Sequence, residues 1–186
     1  PDEIVIVDGG SEDKTVGIIK DYQKKHRQIK LIIEPGSVAQ GRNTSIKSAR
    51  YSIIAHIDAD CVAKKGWLVK LIAPLKQKEI DIVAGFYHMT TSSPFGQAIA
   101  PFHGVPAKWF NANSFLPSAR SMAFKKKVWR RVGGYSEKLD RTGEDTLFVY
   151  HVLKEGFRIA RVKNAVVYWK LPKTFAESLR KFYGYA

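Results

Sequence analysis

Short continuous apolar runs alternate along this chain with stretches whose apolar residues recur every three to four positions. The first pattern predicts buried strands and the second amphipathic helices. Ile4-Val5-Ile6-Val7 is a run closed by Asp8, so residues 3–8 read as a strand. Gly9-Gly10-Ser11 turns the chain. Ser11, followed by Glu12 and Asp13, predicts a capped helix reaching about His26. Ile29 to Ile33 is the next strand, and the whole is a βαβ unit with a Gly-rich first turn. Beyond a loop over 35–41, residues 42–49 read as a short helix. Arg42 is then at its mouth, where a guanidinium fork can hold a phosphate.

The next run, Ile53-Ile54-Ala55-His56-Ile57, breaks into Asp58-Ala59-Asp60-Cys61. Side chains alternate along a strand, so a strand persisting to its end would aim Asp58 and Asp60 into one volume. Two close like charges need a cation between them, and a hard divalent ion with oxygen ligands is the natural candidate. Asp-x-Asp also arises by chance and often serves turns and caps, so the motif alone leaves both readings open.

Gly66-Trp67 opens an amphipathic helix with Leu68, Leu71, Ile72 and Leu75 on one face, and residues 80–85 form a strand. From Met89 to Leu116 the pattern loosens into turn residues and aromatics. That stretch is expected to be a mobile, partly helical pocket lining or else a surface insertion. Residues 119–124 read as a strand and 125–132 as a helix stopped by Gly133-Gly134-Tyr135. Arg141-Thr142-Gly143-Glu144-Asp145 precedes a helix from Thr146 to about Glu155, and 165–169 is the last strand. Residues 174–186 form a basic, aromatic, amphipathic helix suited either to a membrane interface or to packing on the domain.

With 186 residues the chain suits a single domain, divided here into a nucleotide-binding part (1–88) and an acceptor-side part (89–186). Its formal net charge of +14 favours anionic partners, although a solvated basic exterior gives the same number. No signature of a DNA- or RNA-binding fold is present, so nucleic acid ranks low. The single cysteine, Cys61, rules out an internal disulfide framework and fits a reducing compartment. It reads as a small buried hydrophobe rather than a nucleophile.

Four pieces stand in a particular order: Val7-Asp8-Gly9-Gly10-Ser11-Glu12-Asp13-Lys14-Thr15, Gly41-Arg42-Asn43, Asp58-Ala59-Asp60 and Gly143-Glu144-Asp145. Together they resemble the family 2 glycosyltransferases, inverting enzymes with the glycosyltransferase A fold. The resemblance implies an α/β fold with a mostly parallel central sheet flanked by helices. It also implies a UDP- or GDP-sugar donor and a glycan or lipid acceptor. By its motifs, Asp8 with Gly9 and Gly10 would receive the nucleobase, and Arg42 and Asn43 would lie near the nucleotide and pyrophosphate. Asp58 would face the ribose, and Asp60, with Asp58, would hold Mg²⁺ or Mn²⁺. Asp145 would be the catalytic base, with Glu144 beside it.

Two departures accompany the resemblance. The family usually has a further strand and helix before the equivalent of residues 3–8. Its absence would leave a sheet edge open to a second copy, hence a possible homodimer. Where many members carry a metal-binding histidine, this chain has Tyr168-Trp169-Lys170. The Trp169 region and the basic C-terminal segment look like members held at a membrane, which implies a cytoplasmic domain at the inner membrane face. A non-catalytic nucleotide-sugar-binding module and a nucleotidyltransferase are the competing expectations.

Overall fold

The computed structural model describes residues 1–139 and 143–183, with the backbone alone for Lys181. Arg141, Thr142 and the last three residues of the expected C-terminal helix lie outside the described residues.

Strand β1 (Ile4–Asp8) pairs in parallel with β2 (Ile29–Ile33), and α1 (Thr15–Lys25) connects them as the βαβ pattern predicts. Ser11 does not cap α1. Its hydroxyl donates instead to Asp8 (2.6 Å), which ties the Gly9-Gly10 loop to the strand end. Helix α2 (Val38–Ser48) begins earlier than expected because Ser37 and Gln40 form a capping box, satisfying two orphan N–H groups at once. Arg42 and Asn43 therefore project from inside the helix rather than from its mouth.

A second sheet has the order β3 (Ile53–His56), β6 (Met122–Lys125), β5 (Ile82–Thr90), β7 (Ile159–Lys170), β4 (Cys61–Ala63). Only β5 and β7 run parallel in it; the other three pairings are antiparallel. The sheet is thus mixed rather than mostly parallel. An antiparallel neighbour needs no crossover back to the far end of the sheet. Residues 91–121 instead fold as α4 (Pro94–His103) and a 3-10 turn (Ala107–Trp109) near the carboxyl end of β5, where Val105 N–H donates to the Tyr87 hydroxyl (2.9 Å).

β3 also ends sooner than its apolar run. The Asp58 carbonyl accepts from Cys61 N–H (3.0 Å), closing a turn that sends the chain into β4. Asp58 and Asp60 consequently sit on a turn, and the alternation expected of a strand does not govern them.

Side chains of the five-stranded sheet alternate between two apolar clusters. Met122 and Phe124 join Ile46, Ile54 and Phe148 on one face, while Ala123 joins Trp67, Leu71 and Phe86 on the other. α3 (Trp67–Ile72) covers the second face, α5 (Lys126–Arg131) follows β6, and α6 (Glu144–Lys154) covers the first. At Gly85 the β5–β7 register slips by a bulge. A Cβ there would lie 2.0 Å from Ser121 Oγ and 2.9 Å from the Ala165 carbonyl, so the close approach requires glycine.

Among the described residues β1 pairs only with β2, and β3 only with β6. A cavity of about 590 Å³ separates these two strand edges, lined by Ile4, Val5, Ile53 and Ala55 and reaching Arg42 and Asp58 at one end. The carboxyl ends of β1 and β3, where Asp8 and Asp58 stand, are where ligands sit in open α/β sheets.

Candidate active site

Asp8 closes β1 and is nearly enclosed, at 6% exposure. One carboxylate oxygen accepts from the backbone N–H groups of Gly10 (3.1 Å) and Ser11 (2.9 Å), the other from the Ser11 hydroxyl. The Ser11 hydroxyl, then the Ser11 and Gly10 amides, hold this carboxyl below the usual carboxylate range against the opposing effect of burial. Gly10 sits at φ +107°, a conformation that glycine adopts without strain. The result is a rigid anionic corner with exposed glycine backbone beside it.

Arg42 is the centre of the acidic cluster. Its guanidinium donates to Asp58 (3.0 Å) and is ion-paired with the buried carboxylate of Glu144. One cation from α2 thereby joins the β3–β4 turn to the start of α6, elements far apart in the chain. The fork is taken up by carboxylates, so its work here is to hold the acids together. Beneath it lies the Tyr135 ring, 5.7 Å from the guanidinium carbon, which stacks on His56 at 5.9 Å. Burial pushes the Tyr135 hydroxyl up. Burial first and Arg42 second push His56 down to about 3, so its imidazole stays neutral.

Asn43, expected near the nucleotide, is committed to the fold. Its amide donates to the Tyr135 carbonyl and to Glu137, and its oxygen accepts from Trp129 Nε1 and the Tyr135 N–H. All four hydrogen-bonding positions of the amide are used. Gly134, at φ +79°, permits this: a Cβ there would lie 2.8 Å from the Asn43 oxygen.

Asp60 lines a different cavity from Asp58. Trp169 Nε1 donates to its Oδ2 at 2.8 Å, and Asp60 borders a second cavity with Thr90, Thr91, Tyr168 and Lys170. The residue standing where a histidine was sought therefore orients the acid. Cys61 beside it is half-buried, and burial, with Asp60 and Asp58 adding to it, pushes the thiol up to about 12. That removes it as a nucleophile at neutral pH.

Gly143 takes a left-handed conformation (φ +87°) that turns the chain into α6, whose first residues are Glu144 and Asp145. Asp145 is partly exposed. Its Oδ2 accepts from Ala119 N–H (3.1 Å) and its Oδ1 from Thr146 N–H (2.8 Å). Ala119 leads into Arg120, whose guanidinium lies 4.0 Å from the Trp169 ring centre. A circuit results: Asp58, Arg42, Glu144, Asp145, Ala119, Arg120, Trp169 and Asp60 follow one another through contacts or chain adjacency. Asp8 stands apart, with no described hydrogen bond to this circuit.

Sequence reasoning missed Tyr135, Arg120 and the Trp169–Asp60 bond. Tyr135 had a signal, since an aromatic directly after Gly133-Gly134 is carried back onto α2. Arg120 had none beyond its place before a strand.

As to metal, the donor set is oxygen-only and carboxylate, as Mg²⁺ and Mn²⁺ prefer. Among the described residues no group of three His, Cys, Asp or Glu side chains converges. Such ions commonly take one or two carboxylates and complete their shell with water and substrate phosphates; Asp60 fits that mode, while Asp58 is paired with Arg42 and lines the other cavity.

A family model described as glycosyl transferase family 2 matches residues 1–136, well over half of the chain. The chain belongs to glycosyl transferase family 2. A pre-mycofactocin glycosyltransferase of Mycobacterium tuberculosis (strain CDC 1551 / Oshkosh) is 26% identical over 180 residues, covering 88% of this chain and 36% of that protein. The uncharacterized glycosyltransferase EpsJ of Bacillus subtilis (strain 168) is 33% identical over 91 residues, covering 48% of this chain and 26% of EpsJ. The matched segments thus cover well under half the length of both relatives.

Among solved structures, the mannosyltransferase PcManGT from Pyrobaculum calidifontis, in complex with GDP-Man and Mn²⁺, superposes with a TM-score of 0.72 at 20% identity. The match covers 96% of this chain and 50% of that one. TarS 1–349 of S. aureus in complex with UDP-GlcNAc gives 0.69 at 19% identity, covering 95% and 51%. These likenesses establish the glycosyltransferase A fold for this family 2 chain.

Proposed function

We propose that this chain transfers a sugar from a UDP- or GDP-sugar to a hydroxyl acceptor with inversion at the anomeric carbon. The observation that carries the reading is the Arg42 bridge, which draws together Asp58, two residues before Asp60, and Glu144, the residue before Asp145. The Asp8 loop supplies an acceptor for a nucleobase N–H, and Gly9 and Gly10 let the nucleotide approach the backbone. Asp145 takes the proton of the acceptor hydroxyl. The acceptor oxygen attacks the anomeric carbon from the face opposite the diphosphate, the glycosidic C–O bond breaks, and its electron pair leaves with the diphosphate. A divalent ion held by Asp60 would supply positive charge to the phosphate oxygens.

The acceptor is proposed to be presented at an anionic membrane surface. Helices α4 and α7 (Phe175–Tyr183) lie side by side, Phe95 meeting Phe175 near their starts and His103 stacking on Phe182 near their ends. Phe102, Phe175, Leu179 and Tyr183 remain exposed. No acidic residue occurs between Asp81 and Glu137, and after Glu155 the sequence holds only Glu177. An apolar stripe in basic surroundings suits an acidic lipid interface. None of the described helices is long and apolar enough to cross a membrane.

The test is a thermal-shift panel of UDP- and GDP-sugars with and without Mn²⁺, followed by transfer to lipid and glycan acceptors. Bound donor raises the melting point by mass action. A panel without any shift sinks the reading.

A further inference from the structure

We propose that Arg120 is the protein's own cation for the diphosphate that leaves the donor. The inference rests on the transferase reading above and adds a residue that the motifs do not contain. Arg120 occupies the turn before β6, closed by Ser121 N–H donating to the Ser118 carbonyl (3.0 Å). Its preceding residue donates its amide to Asp145 (3.1 Å). Its guanidinium lies over the Trp169 ring at 4.0 Å and near the Tyr87 ring at 5.4 Å. Trp169 in turn holds Asp60 through Nε1. Arg120 is therefore fixed between the acid assigned to the proton and the acid assigned to the metal, on an aromatic floor buried beneath it.

Its charge is unbalanced. Arg42 has two carboxylates, Lys125 and Lys127 share Asp81, and Arg131 has Glu155. Arg120 enters none of the described ion pairs, and its guanidinium's hydrogen bond is a long one to the Ser118 hydroxyl (3.4 Å). A half-buried guanidinium has lost part of its hydration, and the aromatic faces restore only some of it. A site that holds such a cation in place gains from an anion arriving there. The planar fork matches two phosphoryl oxygens at once, which an ammonium does not.

The step balances in charge. The acceptor's proton moves to Asp145, which becomes neutral, while the electron pair of the broken C–O bond passes to the diphosphate. Negative charge thus shifts from one flank of Arg120 to the other, and a cation fixed between them follows that shift without moving.

The experiment compares nucleoside diphosphate with monophosphate, UDP against UMP and GDP against GMP, each with Mn²⁺, on wild type and on Arg120→Met and Arg120→Lys. Wild type should prefer the diphosphate of its own base. Arg120→Met, which keeps the aliphatic packing on Trp169, should lose roughly 10- to 100-fold of that preference while monophosphate affinity holds. Arg120→Lys should fall between the two. A measurement without substitution stands beside it: an arginine-selective dicarbonyl should modify Arg120 in the free protein, and the diphosphate but not the monophosphate should protect it. Wild-type binding with an unchanged preference in Arg120→Met, or no protection, overturns this inference alone. Failure of wild type to bind either diphosphate overturns the transferase reading on which it rests.

Discussion

In the five-stranded sheet Ile82, Val83, Ala84 and Phe86 have no exposed surface, whereas in β1 only Asp8 is buried and α1 buries none of its residues. Both regions carry residues assigned to the same reaction. Asp145 stands on α6, whose Phe148, Val149 and Val152 are sunk in the core, so the proposed proton acceptor is anchored by packing. Asp8 stands on a pair of strands held by one parallel ladder and by α2, beside an open cavity, and is positioned chiefly by its own loop. Rigid support therefore lies under the proposed bond-making acids, while the proposed nucleobase contact rests on a lighter element that local opening can reach.

Four measurements would break or sharpen that contrast. The largest effect is expected from Asp145→Asn, which should lower kcat by about 10²- to 10⁴-fold while leaving donor affinity nearly unchanged. Weakened donor binding with turnover preserved would put the base elsewhere. Next come two truncations followed by chemical denaturation. Phe148→Ala should cost about 3–5 kcal/mol and Ile6→Ala only about 1–2 kcal/mol, because β1 is half-buried. Equal losses would mean that the two sheets are equally anchored.

A smaller effect concerns His56, kept neutral by burial, then by Arg42, with its pKa pushed down to about 3. The unfolded chain takes up this proton near pH 6.5, so stability is whole above that value and declines as pH falls from there toward 3. The slope should be at most about 1.4 kcal/mol per pH unit. His56→Phe should flatten it; an undiminished slope would assign the titration to another group.

The smallest belongs to Asp8→Asn, expected to weaken donor binding roughly tenfold with kcat held. Its carboxyl is held low chiefly by the Ser11 hydroxyl, so that stabilisation is present above about 3.8 and disappears as pH drops through the lowered value. The melting points of wild type and Asp8→Asn should converge at acid pH. A constant gap would show that the Ser11 bonds do not depend on the charge.

Local pattern was enough to read the βαβ start and the helix behind Glu144-Asp145. It failed where a short-range hydrogen bond competed with periodicity. The Ser37–Gln40 capping box moved the start of α2, and the Asp58–Cys61 turn cut β3 short. It failed again where a polar group found a distant partner. Asn43 bonds Tyr135, 92 residues away, and nothing near Asn43 in the chain distinguishes an amide that meets a ligand from one that locks a turn.

Residue order alone was sufficient for the family and the α/β class, and it named Asp8, Asp58, Asp60, Glu144 and Asp145 as candidates, because motif spacing and apolar periodicity are local properties of the chain. Folding in three dimensions was needed to learn that Arg42 serves carboxylates, that Trp169 steers Asp60 and that Arg120 stacks on Trp169 outside the described ion pairs. Those facts depend on which charges become neighbours once water is excluded, and contacts between residues more than a hundred positions apart leave no trace in local pattern.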